Sequence, residues 1–128
     1  MLTYITSEEY QELLGESIPD NFNQLAIEAS NYVNYKTFGR IDSNNIPEAV
    51  KYVTCLIVNT INEEKSSLKE LGNLKSQNIE GWSETYSTPE EVKSNYLNIK
   101  ENLLNEYLWN ITGLGGIPLL YKGVDVVG

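Results

Sequence analysis

The chain has 128 residues, a hydrophobic fraction of 41% and a formal net charge of −9. Histidine is absent and Cys55 is the only cysteine, which excludes a disulfide framework, cysteine-based metal sites and histidine-based catalysis. The length suits one domain, and the negative charge has the wrong sign for gripping nucleic-acid phosphates. The amino-terminal residues lack the basic and apolar regions of a signal peptide, and no apolar run could cross a membrane, so we expect synthesis in a cytoplasm.

Two helices are predicted in the first third of the chain. Thr6-Ser-Glu-Glu9 matches a capping box and predicts a short helix over residues 7–14 that stops at Gly15. Pro19 suits the first turn of a second helix, which ends by Gly39. Apolar residues recur in it at helical spacing and predict one core-facing stripe: Phe22, Leu25, Ala26, Ala29 and Val33.

A third, central helix is predicted from Pro47 to Gly72. It is the most apolar of the helices, and Cys55 within it reads as a small buried hydrophobe with an inert thiol. The charged residues 63–65 and the serines after them predict fraying or a bend in its second half. Its stripe comprises Val50, Val53, Ile57, Ile61, Leu68 and Leu71.

The pattern changes near residues 78–87, where alternating residues predict a short strand or an ordered loop. Trp82 and Tyr86 would lie on one side of this segment, with Glu84 between them. Either the aromatic pair is exposed and contacts a neighbouring subunit, or Trp82 pins the loop to its own core. The sequence leaves both alternatives open.

Thr88-Pro-Glu-Glu91 is a second capping box, now with proline at the first helical position. It predicts a long final helix that ends at Gly113 and packs along the third helix. The predicted stripe comprises Val92, Tyr96, Ile99, Leu103, Tyr107 and Ile111, widened by Leu97, Leu104 and Leu108. The fold class is therefore all-α: a small bundle of about four helices, one short and three longer, within a helical domain of residues 1–112.

Residues 113–128 form a glycine-rich, apolar tail that needs an apolar surface to meet. That surface belongs either to this chain, as a strand folded back over its own helices, or to a neighbouring subunit. The candidate contact residues of the tail are Leu114, Ile117, Leu119, Leu120, Tyr121, Lys122 and Val124, with Val126 and Val127 following them.

No catalytic, cofactor or metal site is expected. Two of the three acidic pairs fall in first turns, where the helix dipole favours carboxylates. Gly113-Leu-Gly-Gly116 lacks the strand–loop–helix context of a phosphate cradle, and Lys122 reads as a solubilising or pairing cation. Several tyrosines suit either the rim of the core or a subunit border: Tyr32, Tyr35, Tyr96 and Tyr107.

The order of these elements resembles the head–tail connector, or adaptor, proteins that lie beneath the portal ring of tailed bacteriophages. The resemblance covers most of the chain. It rests on patterns of caps, core stripes and glycines in Tyr4-Ile-Thr-Ser-Glu-Glu-Tyr10, Pro19, Phe38-Gly-Arg-Ile41, Pro47-Glu-Ala-Val50, Ile79-Glu-Gly-Trp-Ser-Glu-Thr-Tyr86, Leu108-Trp-Asn-Ile-Thr-Gly-Leu114 and Tyr121-Lys-Gly-Val124. Gly115-Gly116-Ile-Pro118 departs from it, because this stretch is longer and more flexible than the family's ending.

The resemblance implies a virion subunit that assembles into a ring of about twelve copies under the portal, although the subunit could be monomeric alone. Residues 114–124 would dock on the portal ring, and Trp82, Glu84 and Tyr86 would face a subunit interface or the channel. A downstream tail or stopper protein would bind below. Genomic DNA would pass an acidic wall without specific binding.

An alternative function is an acidic inhibitor or regulatory module that presents carboxylates to a basic partner. The acids are spread over caps and helical faces rather than arrayed at phosphate-like spacing, and this role does not call for an apolar tail. An enzyme is the third alternative, in which Asp and Glu residues would line a catalytic cleft.

Overall fold

A computed structural model of the chain describes residues 3–76 and 88–121. The described part is all-α, as predicted, and within it the only β pairing is an isolated antiparallel bridge between Thr112 and Pro118. The predicted strand or loop near 78–87 lies outside the described residues. The helices are α1 (Ser7–Leu14), α2 (Phe22–Lys36), α3 (Glu48–Ser76) and α4 (Pro89–Leu108), followed by a 3-10 turn at Leu114–Gly116.

Both predicted capping boxes are present and fix the starts of α1 and α4. The Thr6 hydroxyl accepts a hydrogen bond from the Glu9 backbone at 3.1 Å, while the Glu9 carboxylate accepts from the Thr6 backbone at 2.9 Å. Thr88 and Glu91 repeat the arrangement at 3.2 and 2.8 Å. Each box satisfies two backbone donors that would otherwise lack partners at a helix start.

Two predicted helix boundaries were wrong. α2 begins at Phe22 rather than at Pro19, because the Phe22 N–H bonds the Pro19 carbonyl in a turn that precedes the helix. α3 continues past Gly72 to Ser76 as one helix. An ion pair between Lys65 and Glu28, at 2.7 Å, joins the second half of α3 to α2.

The end of α4 also differs from the prediction. α4 ends at Leu108 rather than at Gly113, with Trp109 as its C-cap residue. Beyond this end, the carbonyl of Ile111 accepts a hydrogen bond from Leu119, eight positions further along, at 2.9 Å. The residues between Leu108 and Gly113 therefore take part in a tertiary contact instead of a last helical turn.

α3 is the central helix and contacts the other three. Most of its predicted stripe is buried, and Leu104 and Leu108 of α4 join the same core. The predicted α4 stripe was wrong at Leu97 and Ile99, which are 42% and 44% exposed, because α4 instead packs through the face that carries Leu104 and Leu108. None of the helices in the described ranges has a stretch long and apolar enough to cross a membrane.

Four lysine–carboxylate pairs lie between helices, so the lysines of this acidic chain serve to join its elements. Among the described residues these pairs are Lys51–Glu9 at 2.6 Å, Lys65–Glu28 at 2.7 Å, Lys36–Glu101 at 2.9 Å and Lys100–Glu64 at 3.8 Å. Lys51 donates a hydrogen bond that lowers the pKa of the Glu9 carboxyl.

Residues 112–121, called here the C-terminal segment, fold back onto the bundle. The Gly113 N–H donates to the Ile117 carbonyl at 2.8 Å, which closes a tight turn. Leu119 is fully buried in the core beside α4. Of the two surfaces that the sequence left open for the tail, this chain's own helices receive the segment as far as Tyr121, and they receive it as a turn rather than a strand.

We predict that Gly113→Ala lowers the free energy of unfolding by about 2–3 kcal/mol. A Cβ at this position would lie 2.2 Å from the Arg40 carbonyl oxygen and 2.6 Å from Leu119 Cδ2. The matched control is Gly72→Ala, where a Cβ meets no atom within 4 Å and the residue is helical. This control should gain about 0.5–1 kcal/mol in urea denaturation. Equal effects of the two substitutions would contradict the packing described.

Candidate functional site

Arg40, the only arginine in the sequence, holds the C-terminal segment in place. Its Nη1 donates to the Pro118 carbonyl at 2.8 Å and also to the Tyr121 carbonyl. Its own backbone carbonyl accepts a hydrogen bond from Leu114 N–H at 2.7 Å. Both ends of the segment are therefore tied to one residue in the loop between α2 and α3.

Phe38 lies beside Arg40 in a strained backbone conformation. Its φ of 57° is in the left-handed region, which costs a non-glycine residue about 1–2 kcal/mol. The Arg40 guanidinium lies 4.8 Å from the centre of the Phe38 ring, in cation–π contact, yet the side chain is 51% exposed. The left-handed residue closes a Schellman motif at the end of α2, because the N–H groups of Phe38 and Gly39 bond the carbonyls of Tyr35 and Asn34.

The outermost part of the C-terminal segment is an apolar tip formed by Leu114 and Ile117. Gly115 and Gly116 between them have φ values of 72° and 74°, a conformation that glycine adopts without strain. Leu114 is 51% exposed and Ile117 is 41% exposed, although the backbone on either side is hydrogen-bonded to the bundle. The tip thus presents two apolar side chains from a fixed backbone.

A groove of about 810 Å³ lies between the end of α2 and the last turns of α4. We call it the α2–α4 groove. Its apolar lining comes from Tyr35, Phe38, Leu104 and Leu120. Lys36 and Glu101, which pair at 2.9 Å, provide its charged lining, so the charges largely neutralise each other.

Tyr32 lies next to this ion pair, beneath two lysines. Lys100 Nζ is 4.8 Å and Lys36 Nζ is 5.9 Å from the centre of its ring. Burial, followed by the nearby Glu101 carboxylate, raises the pKa of Tyr32 to about 12. The hydroxyl therefore stays protonated at neutral pH, and the ring serves as a platform for the two lysines.

The structure separates the predicted contact residues of the tail into three groups. Leu114 and Ile117 are exposed, as a docking surface requires, whereas Leu120 and Tyr121 are half-buried. Leu119 is a core residue, so it has no surface to offer a partner in this conformation. The remaining candidates lie outside the described residues: Trp82, Glu84, Tyr86, Lys122 and Val124.

Two exposed aromatic side chains, Phe38 and Trp109, were absent from the predicted contact residues, and Tyr35 had been left open between the rim of the core and a subunit border. Tyr35 is 76% exposed and Trp109 is 70% exposed, while Phe38 joins Tyr35 in lining the α2–α4 groove. Tyr35 falls off the stripe of α2 and Trp109 directly follows the last buried turn of α4. Their offset from the apolar stripes was the only sequence signal that could have identified them.

The described residues offer little for chemistry. They include no group of three or more His, Cys, Asp or Glu side chains placed to hold a metal ion. Cys55 is buried, and desolvation raises the pKa of its thiol to about 12, so it is not a nucleophile at neutral pH. The apolar tip and the α2–α4 groove instead offer an apolar surface for binding.

Comparison with known proteins found no match among protein families, curated proteins or solved structures.

We predict that Arg40→Gln loosens the C-terminal segment more than the rest of the fold. The substitution removes the donor of both carbonyl contacts, each worth about 1 kcal/mol. Losing both contacts, about 2 kcal/mol together, should accelerate chymotrypsin cleavage after Leu120 or Tyr121 about thirtyfold. Lys65→Gln is the control, because it removes an exposed ion pair on α3 and should leave cleavage unchanged. Equal cleavage of all three proteins would contradict the role of Arg40.

Proposed function

We propose that the protein is a structural subunit of a phage virion, a head–tail connector that docks on the portal ring and forms part of the channel through which DNA passes. The observation that carries this proposal is the apolar tip, Leu114 and Ile117, exposed on a backbone that Arg40 holds in place. Two large apolar side chains that are exposed side by side on a fixed turn suit a surface that a partner covers.

The acidic charge supports a role next to DNA that avoids binding it. Of the nine lysines and arginines in the sequence, four are in ion pairs within the bundle and Arg40 is engaged by backbone carbonyls. At least five cations are thus occupied internally, which leaves a surface dominated by carboxylates. Such a wall repels phosphates and lets DNA slide.

Neighbouring copies of the chain and a downstream tail or stopper protein complete the proposed set of partners. A tip that meets a different surface on the next copy is a head-to-tail contact, and repeated contacts of this kind form a ring when the rotation between copies closes. The virion's head–tail interface is the proposed location, after synthesis in the host cytoplasm. We propose no catalytic function and no cofactor.

We predict that Leu114→Ser combined with Ile117→Ser weakens binding to portal rings by about tenfold or more, because these side chains are the proposed centre of the contact. Native mass spectrometry over a concentration series, with portal rings of the phage that encodes the chain, reads the complex directly. Full-length variants are needed, because truncation after Thr112 would remove the core residue Leu119.

The matched control is Leu97→Ser combined with Ile99→Ser, which removes two apolar side chains of similar exposure from α4. This control should bind like the unmodified protein. Strict monomers that ignore portal rings would contradict the proposal. If glutamate-to-glutamine changes on exposed helical faces abolished capture of a basic partner while the tip variant retained it, the acidic inhibitor function would replace it.

A further inference from the structure

We propose that the free chain forms a two-fold symmetric dimer in which the apolar tip of each copy enters the α2–α4 groove of the other. This inference does not depend on the connector function. It starts from a cluster of exposed apolar side chains at the end of the bundle where α2 and α4 finish. We call these side chains the apolar face: Tyr35, Phe38, Trp109, Leu114 and Ile117.

The aromatic part of the apolar face is continuous with the groove. Tyr35 and Phe38 line the groove together with Asn105 of α4. Trp109 comes four residues after Asn105 with helical backbone angles, so it lies one turn further along the same side of α4. The three aromatic side chains therefore belong to the groove and its border.

The apolar tip starts beside the groove. The Leu114 N–H bonds the carbonyl of Arg40 at 2.7 Å, and Arg40 directly follows the groove residue Gly39. After the tip, Leu120 lines the groove again, three residues beyond Ile117. One copy thus carries an apolar projection and an apolar groove side by side, and the hydrogen bonds of the tip's backbone keep it from turning into its own groove.

The adjacency of tip and groove favours two-fold pairing. A two-fold axis between them inserts both tips at once, whereas a head-to-tail pair leaves one tip and one groove uncovered. Two-fold dimers are also the commonest symmetric oligomers. A second copy held in this way occupies both tips, so the dimer would have to separate before a tip could meet any other partner.

The area of the apolar face is sufficient for a weak specific dimer. Its aromatic members are 76%, 51% and 70% exposed at Tyr35, Phe38 and Trp109, and Leu114 and Ile117 are 51% and 41% exposed. With about 200 Å² for a fully exposed aromatic residue and somewhat less for Leu or Ile, these fractions amount to roughly 550 Å² per copy. Two copies then offer roughly 1,100 Å², which reaches the total of about 1,000 Å² that a specific interface needs.

The charges at the contact are also compatible with a second copy. Among the described residues that line the groove, the charged ones are Lys36 and Glu101, which pair with each other at 2.9 Å. The tip, Leu114-Gly-Gly-Ile117, carries no charge. Insertion of the tip therefore brings no unpaired charge of the groove lining out of water.

Sedimentation equilibrium of the full chain, without any portal ring, tests the dimer. We expect only monomers and dimers, with a Kd of about 10–100 μM, because the interface is at the small end of the specific range. A chain that is still monomeric at about 1 mM would overturn the proposal. A continuing series of larger species would also overturn it, because head-to-tail contacts produce such a series.

The formal net charge of −9 predicts how this dimer responds to salt. Two acidic copies repel each other, and salt screens that repulsion while the apolar contact persists. Raising the salt concentration from about 50 mM to about 500 mM should therefore tighten the dimer about threefold. A dimer that weakens as salt is added would be held by charge pairs and would contradict an apolar contact.

Two variants remove the two halves of the contact separately. Leu114→Ser combined with Ile117→Ser removes the tip. Tyr35→Ser combined with Phe38→Asn removes the aromatic lining of the groove, and asparagine tolerates the left-handed backbone at position 38. Each variant should weaken the dimer by about tenfold or more, because symmetry makes it break both contacts.

The matched control is Leu97→Ser combined with Ile99→Ser, two apolar side chains of α4 that are 42% and 44% exposed and lie outside the apolar face. This control should dimerise like the unmodified protein, and circular dichroism checks that every variant is folded. Equal effects of the tip variant and the control would overturn the proposal. So would a groove variant that dissociates while the tip variant stays dimeric.

Tryptophan fluorescence tests the same interface without changing the tip or the groove. The chain has two tryptophans, so Trp109 is the only one left in a Trp82→Phe variant. Its emission should shift to shorter wavelength as the concentration passes the Kd, because the second copy covers an indole that is 70% exposed. Unchanged emission while dimers form would place the interface elsewhere. None of these measurements uses a portal ring, so the dimer and the connector function can fail separately.

Discussion

The described fold depends on how the C-terminal segment is closed against the bundle by Arg40. Its guanidinium reaches the carbonyls of Pro118 and Tyr121, and its own carbonyl accepts from Leu114. These bonds fix the segment at three positions while Leu119 enters the core. The need for glycine at position 113 and the exposure of the tip both follow from this closure, because each is set by the path that the segment takes.

Local signals in the sequence were sufficient for the starts of α1 and α4 and insufficient for the tertiary contacts. The capping boxes at Thr6 and Thr88 act within four residues, so sequence alone could predict them. The bond between Ile111 and Leu119 that follows the early end of α4 could not be predicted, because it joins residues that come together only in the folded chain. Likewise, a lone arginine in an acidic chain gives no indication that it will bind carbonyls almost eighty positions away.

The candidate site could be predicted in part. The sequence indicated that Leu114 and Ile117 needed a partner surface, and the structure leaves both exposed. The sequence could not distinguish these two residues from the buried Leu119. In a tight turn, buried and exposed side chains follow one another without the regular spacing of a helix or a strand, so no periodic pattern separates them. Phe38 was missed as a contact residue, and Tyr35 was left undecided, for a related reason: both line the groove that α2 forms with α4, which exists only after folding.

Amide hydrogen exchange at Leu119 tests the central claim most directly. The account predicts that this amide, bonded to Ile111 and carried by a fully buried side chain, exchanges as slowly as the amides in the middle of α3. Its protection would then correspond to global unfolding. Exchange at the rate of an unstructured peptide, with α3 still protected, would show that the segment is not part of the core and would contradict the account.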